Sequence, residues 1–205
     1  MKTLLLLALS LMTSACSKVK VEGRPPFGAD AERALVAATA ARDVGRVQEL
    51  LRSGADPNRM VEHEGLNRSA WELALTELRP KRPELVPIIQ AMLKAGAKPD
   101  SAWGESVSRG ITRQYPRDPI LLVMLHPDAR VVRALMEAGL DPRGAQTALV
   151  MAIEAGEVEI AHILVEAGVN VNCRPGANTP LVAAIEARNL ALMTYLEDHG
   201  AREKP

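Results

Sequence analysis

Apolar residues recur along this chain in short blocks, and five of the blocks close on the same punctuation. They are Leu50-Leu51-Arg52-Ser53-Gly54, Met92-Leu93-Lys94-Ala95-Gly96, Leu135-Met136-Glu137-Ala138-Gly139, Leu164-Val165-Glu166-Ala167-Gly168 and Leu196-Glu197-Asp198-His199-Gly200. Apolar residues a turn ahead of a glycine describe the end of an amphipathic helix with a left-handed stop. The glycines are 42, 43, 29 and 32 residues apart, and periods of that length predict stacked helical repeats.

A second helix is predicted ahead of each block. Thr147-Ala148-Leu149-Val150-Met151-Ala152 and Thr179-Pro180-Leu181-Val182-Ala183-Ala184 are near copies of one another. Ser69-Ala70-Trp71-Glu72-Leu73-Ala74 and Asp118-Pro119-Ile120-Leu121-Leu122-Val123 are weaker copies, and Arg33-Ala34-Leu35-Val36-Ala37-Ala38 is weaker still. A cap or turn residue sets the helix start. The apolar residue two positions on and the compact one three further share a helix face, where a small side chain lets helices approach. From Ala38, Val123, Ala152 and Ala184 to the following glycine the distance is 16 residues each time. Trp71 takes the slot of Leu35, Ile120, Leu149 and Leu181 and is expected in the core. Gly156 separates the two helices of the fourth copy, and Asp128 and Asn189 are candidate caps for second helices.

These segments resemble the Thr-Pro-Leu-His-x-Ala signature of ankyrin repeats. The resemblance covers about residues 30–205. It implies an all-α solenoid of about five helix-turn-helix repeats with finger loops, at about 33–65, 68–101, 117–145, 146–177 and 178–205. The signature His is absent from every copy, replaced by Val36, Glu72, Leu121, Val150 and Val182. Leu51, Leu93, Met136 and Val165 fill one outer-helix slot that faces the next repeat. The fifth copy has Glu197 there, and a carboxylate is costly to bury, so the stack is expected to end at that repeat, as a solenoid cap requires. Two insertions stretch the period: Thr76–Glu84 between the helices of the second repeat, and 99–117 in the finger between the second and third.

Composition agrees with helices packed closely together. Hydrophobic residues make up 47% and aromatic residues only 2%, so the core is built from Leu, Val, Ile, Ala and Met. Lys and Arg number 25 and Asp and Glu 25, and no overall field draws the chain to nucleic acid or anionic lipid. Charge is uneven, however. Residues 68–117 carry a net +4 and residues 146–200 a net −5, a candidate bipolar surface for orienting a partner.

The N-terminus adds a location. Lys2, the run Leu4–Met12 and Thr13-Ser14-Ala15 read as an export signal over residues 1–15. The run is too short to span a bilayer. Met12-Thr13-Ser14-Ala15-Cys16 resembles the bacterial lipobox, with Thr13 where that family prefers Leu; Thr13-x-Ala15 also suits an ordinary signal peptidase and simple periplasmic secretion. The lipobox resemblance implies lipid on Cys16, a tether over 16–29 and, since Ser17 follows the cysteine, an outer-membrane anchor facing the periplasm. With Cys16 lipidated, Cys173 has no partner for a disulfide within the chain.

Catalytic signals are weak. His63-Glu64-Gly65-Leu66-Asn67 starts like a zinc-protease helix, but Asn67 stands where the second His belongs. His126, His162 and His199 are scattered among repeats. Glu154 and Glu186 sit in equivalent slots on adjacent helices and read as an acidic patch. No phosphate loop, dinucleotide fingerprint or nucleophile motif occurs, so no cofactor or metal is expected and the chain reads as non-catalytic. The leading expectation is a membrane-tethered module that binds another protein, in a sharper version an immunity protein sequestering a toxin or effector. An envelope scaffold is the alternative. Trp, Tyr and Arg dominate interface hot spots, which nominates Trp103, Arg109, Arg113, Tyr115 and Arg117 in the long finger. Leu73, Leu122 and Met151 on the concave face are the next candidates.

Overall fold

Ten helices in five antiparallel pairs form the described part of the chain. The computed structural model describes residues 29–78, 82–100, 102–108 and 111–202, with the backbone alone at 29, 102–108 and 111–117. The pairs are α1 (Ala29–Ala40) with α2 (Val44–Arg52), α3 (Ala70–Thr76) with α4 (Leu85–Lys94), α5 (Pro119–Met124) with α6 (Ala129–Glu137), α7 (Gln146–Glu154) with α8 (Val158–Glu166), and α9 (Pro180–Glu186) with α10 (Leu190–Asp198). First helices pack on first helices along an inner row, α1 to α3 to α5 to α7 to α9. Second helices pack likewise along an outer row, α2 to α4 to α6 to α8. The fold is an all-α ankyrin-type solenoid. The expected signal, Cys16 and the expected tether up to residue 28 lie outside the described residues, and Ala29 already opens α1.

The five terminal glycines all have φ between +88° and +96°. Each outer helix ends in the same pair of bonds: in the first, Gly54 N–H donates to the Leu51 carbonyl and Ala55 N–H reaches back to that of Leu50. That is a Schellman closure, and it satisfies carbonyls a helix end would otherwise leave open. Ser69, Asp118 and Thr179 cap their inner helices through side-chain oxygens, accepting from Glu72, Ile120 and Val182 N–H. Asp128 and Asn189 cap outer helices, accepting from Arg130 and Leu192 N–H. Thr147 is not a cap. Backbone turns from Asp141 and Pro142 carry straight into α7, which starts at Gln146, so the helix has already begun when it reaches Thr147.

The slots behave as a repeat core should. Leu35, Trp71, Ile120, Leu149 and Leu181 are buried, and so are Ala38, Ala74, Val123, Ala152 and Ala184. Glu197 is exposed at the C-terminal end. Ile185 is 39% exposed there, although Leu75, Met124 and Ile153 in its slot are buried. Nothing among the described residues follows to cover it.

The fingers ahead of α3 and α5, the second of them the long insertion, are hairpins and not irregular loops. β1 (Val61–His63) pairs with β2 (Leu66–Arg68), and β3 (Ala102–Ser108) with β4 (Ile111–Arg117), both antiparallel. β2 runs beside β3, so the two hairpins neighbour one another. The first turns through Glu64 and Gly65, both at positive φ, the geometry of a tight two-residue hairpin turn. His63–Asn67 is therefore a hairpin and not a helix.

Candidate protein-binding surfaces

The inner row presents an apolar centre. α5 carries no charged residue, and Leu125 at its C-terminus is 64% exposed. Leu121 and Leu122 on α5 and Met151 on α7 are half-buried against the core. Leu73, in the slot of Leu122 and Met151, is only 4% exposed and offers little surface. Glu154 and Glu186 are exposed beyond this centre, and Asn178 Nδ2 donates to Glu186 Oε2 at 2.8 Å. The inner row thus passes from apolar at α5 to acidic at α7 and α9.

The long hairpin divides the finger residues. Trp103 pairs with Pro116, Gly104 with Tyr115, Ser106 with Arg113 and Ala102 with Arg117. Successive rungs belong to opposite faces of a ladder. Positions 113, 115 and 117 therefore share one face, and position 103 belongs to the other. Arg109 lies outside the described residues.

The outer row repeats a groove between successive helices. The α2/α4 groove, of about 450 Å³, is lined by Gln48, Leu51 and Arg52 from one side and Pro87, Gln90, Ala91, Lys94 and Ala95 from the other. The α4/α6 and α6/α8 grooves use the same slots, with Leu93 and Met136 in place of Leu51 and Ala134 and Ile163 in place of Ala91. In the fourth position, between α8 and α10, the equivalent slots hold His162, Tyr195 and His199. These three rings stack, His162 on Tyr195 at 4.1 Å between centroids and Tyr195 on His199 at 4.2 Å. The α8 and α10 backbones approach less closely than the other outer pairs, with the rings between them. His162 and His199, far apart in sequence, both reach Tyr195 where α8 and α10 face one another; His126 is not part of the stack.

Electrostatics differ along the same row. Two residues before each terminal glycine stand Arg52, Lys94, Glu137, Glu166 and Asp198, all exposed. The lips of the first groove are both cationic, those of the second mixed, those of the third both acidic. Tyr195 Oη is buried without a hydrogen-bond partner among the described residues. Burial first, and the Glu166 carboxylate second, push its phenol pKa up. Burial also raises Cys173, whose Sγ lies 3.9 Å from the Gln146 carbonyl. A buried thiol held protonated is a poor nucleophile.

One set of joints went unread in the sequence. Asn58 Nδ2 donates to the Gly96 carbonyl, and Asn58 Oδ1 accepts from Lys98 N–H, both at 2.9 Å. Asn172 makes the same two bonds to Gly200 and Arg202, again at 2.9 Å. Each Asn stands four residues past a terminal glycine, and that offset was the available signal. Arg143 holds the equivalent position in the third repeat. Among the described residues no group of His, Cys, Asp and Glu is arranged to hold a metal, and no helix is long and apolar enough to cross a membrane.

A repeat solenoid joined by such turns belongs to a recognisable class. Residues 120–204 match the family model described as ankyrin repeats (3 copies). That stretch begins in α5 and runs through the last three repeats; the first two repeats lie outside the match. No curated protein matches the chain. Ankyrin repeats mediate protein–protein interaction, and that is the activity this scaffold supports.

Proposed function

We propose that this chain is a non-catalytic protein-binding module, held at the bacterial envelope by lipid on Cys16, that sequesters a toxin or effector there. The observation that carries the binding reading is the uncharged α5 with its exposed Leu125, continued by half-buried Leu122 and Met151. An exposed apolar centre with a polar rim is the anatomy of an interface. The tether rests on the small residues directly before Cys16, since acyl chains on one residue add about 0.8 kcal/mol per buried CH₂.

Affinity capture from envelope extract with the wild type and with Leu122→Asp/Leu125→Asp tests the surface. One stoichiometric protein, lost with the variant, is expected; the same proteins on both, or none, overturns the reading. Trp103→Ala and Tyr115→Ala, made separately, then divide the hairpin. Only one is expected to weaken binding, by about 2 kcal/mol, because their positions lie on opposite faces of the ladder. Fractionation of Cys16→Ser addresses the anchor: membrane association and processing equal to wild type would refute it.

A further inference from the structure

We propose that the groove between α2 and α4 is a second docking site, for an acidic segment of a partner protein that carries an apolar anchor. It lies on the outer row, away from the inner-row surface, and does not depend on it. The periodic construction of the outer row isolates what is particular here. The four equivalent groove positions all lie between outer helices of adjacent repeats, the fourth with its helices less closely set, and they differ in whether the groove is open and in which charges stand on its lips. The fourth is filled by His162, Tyr195 and His199. The second and third are open but carry Glu137 on one lip or Glu137 and Glu166 on both. The first alone is open with two cations, Arg52 and Lys94.

Those two cations have no acidic partner among the described residues. Of the acids near them in sequence, Glu49 is engaged with Arg46 at 2.7 Å, Asp56 accepts from Asn58 and Glu84 is engaged with Arg42 at 3.1 Å, while Asp100 forms no ion pair with either cation. The floor between the lips is apolar, from Leu51, Pro87 and Ala91, and Gln48 and Gln90 supply amide donors and acceptors. An amphipathic segment fits this layout. Its apolar row lies along the floor as one helix ridge lies in the groove of another, and its carboxylates meet Arg52 and Lys94. Charge complementarity of this kind sets which partner is accepted and how fast it arrives.

The test is an amide chemical-shift titration of the ¹⁵N-labelled full chain with a synthetic Leu/Glu peptide written at helical spacing. A Leu/Lys peptide and vesicles of anionic lipid are the comparison probes. Saturable shifts at Gln48, Ala91 and Ala95 are expected with the Leu/Glu peptide only, weakening as salt rises. Arg52→Glu/Lys94→Glu is expected to lower its affinity at least tenfold and to admit the Leu/Lys peptide. Ala91→Tyr, which keeps both charges but fills the floor, is expected to lower it as much. Equal affinity in the variants, equal response to the Leu/Lys peptide, shifts elsewhere, or no saturation at millimolar peptide would overturn the proposal. So would loss of vesicle binding in the charge-reversed protein with peptide binding unchanged, which would assign the cations to a membrane surface. Self-association that depends on Arg52 would assign them to a second copy.

Discussion

The groove between α2 and α4 and the one between α8 and α10 are the same construction with opposite outcomes. Both are bounded by outer helices of adjacent repeats, and both draw their lining from the same slots counted back from the terminal glycine. In the first, those slots hold Gln48 and Ala91, and a hollow of about 450 Å³ stays open between Arg52 and Lys94. In the last, they hold His162 and Tyr195, and the rings close the hollow between Glu166 and Asp198. A repeat protein sets its scaffold and its surface by different positions. The buried slots keep the layers stacked, and the groove slots decide whether a layer boundary is filled or free to take a partner.

The comparison stands on the slot alignment, so the most damaging test is aimed there. Ala152→Leu adds bulk to a fully buried slot of α7, and overpacking of that kind costs about 1–3 kcal/mol. Glu157→Ala, at a helix start where the side chain makes no capping bond, is expected to stay within about 0.5 kcal/mol. Equal losses in urea melts would undo the alignment.

Tyr195→Ala converts the filled groove into a likeness of the α4/α6 one. The ring is partly buried and packed against two histidine rings, so a loss of about 2 kcal/mol is expected. Unchanged melting would mean that the stack is incidental to the end of the solenoid. A third change works on the inner helix of the same repeat. Arg188 closes α9 at φ +54°, where Gly156 closes α7. A non-glycine residue in the left-handed region costs about 1 kcal/mol, so Arg188→Gly is expected to recover most of that. A drop in melting temperature would show that the arginine side chain contributes more than its backbone costs.

The smallest effects concern two caps on neighbouring helices. Burial pushes the Asp118 carboxyl above the ordinary carboxylate range, and the Arg130 guanidinium holds Asp128 below it. A depressed carboxyl contributes stability above its unfolded pKa and loses it as pH falls through the folded value. A raised one contributes fully below its unfolded pKa and loses that as pH rises through the folded value. At neutral pH, Asp118→Asn keeps a capping oxygen and removes a buried charge, so it is expected to melt at or above wild type. Asp128→Asn is expected to melt below it. Both differences are expected to shrink as acid is added, the Asp118 one within the ordinary carboxylate range and the Asp128 one only below it. Differences that persist once both carboxyls are protonated would rule out the carboxylate charges as their source.

The sequence carried the scaffold well because the scaffold is periodic. The 16-residue interval from Ala38, Val123, Ala152 and Ala184 to a glycine placed the core slots, and Trp71 could be put in the core by alignment alone. Thr147 misled because a good capping residue does not start a helix when the preceding turn already has the right backbone. The long hairpin was hidden by its composition: Ser106, Ser108, Arg113 and Gln114 leave no clean apolar alternation, and Pro116 argues against a strand. The His162–Tyr195–His199 stack joins residues more than 30 positions apart. It becomes legible only when histidines are sorted by slot and not by distance along the chain. The binding surface was the least legible part, since exposure is set by which neighbour covers a slot. Leu73 and Leu122 share a slot, yet only Leu122 keeps appreciable surface.

Hydrogen–deuterium exchange on the chain with its captured partner tests the binding reading most directly. Added protection is expected in the inner row, across residues 119–126 and 146–156, with the outer helix α10 unchanged. Protection confined to α8 and α10, with α5 and α7 exchanging as in the free protein, would contradict it.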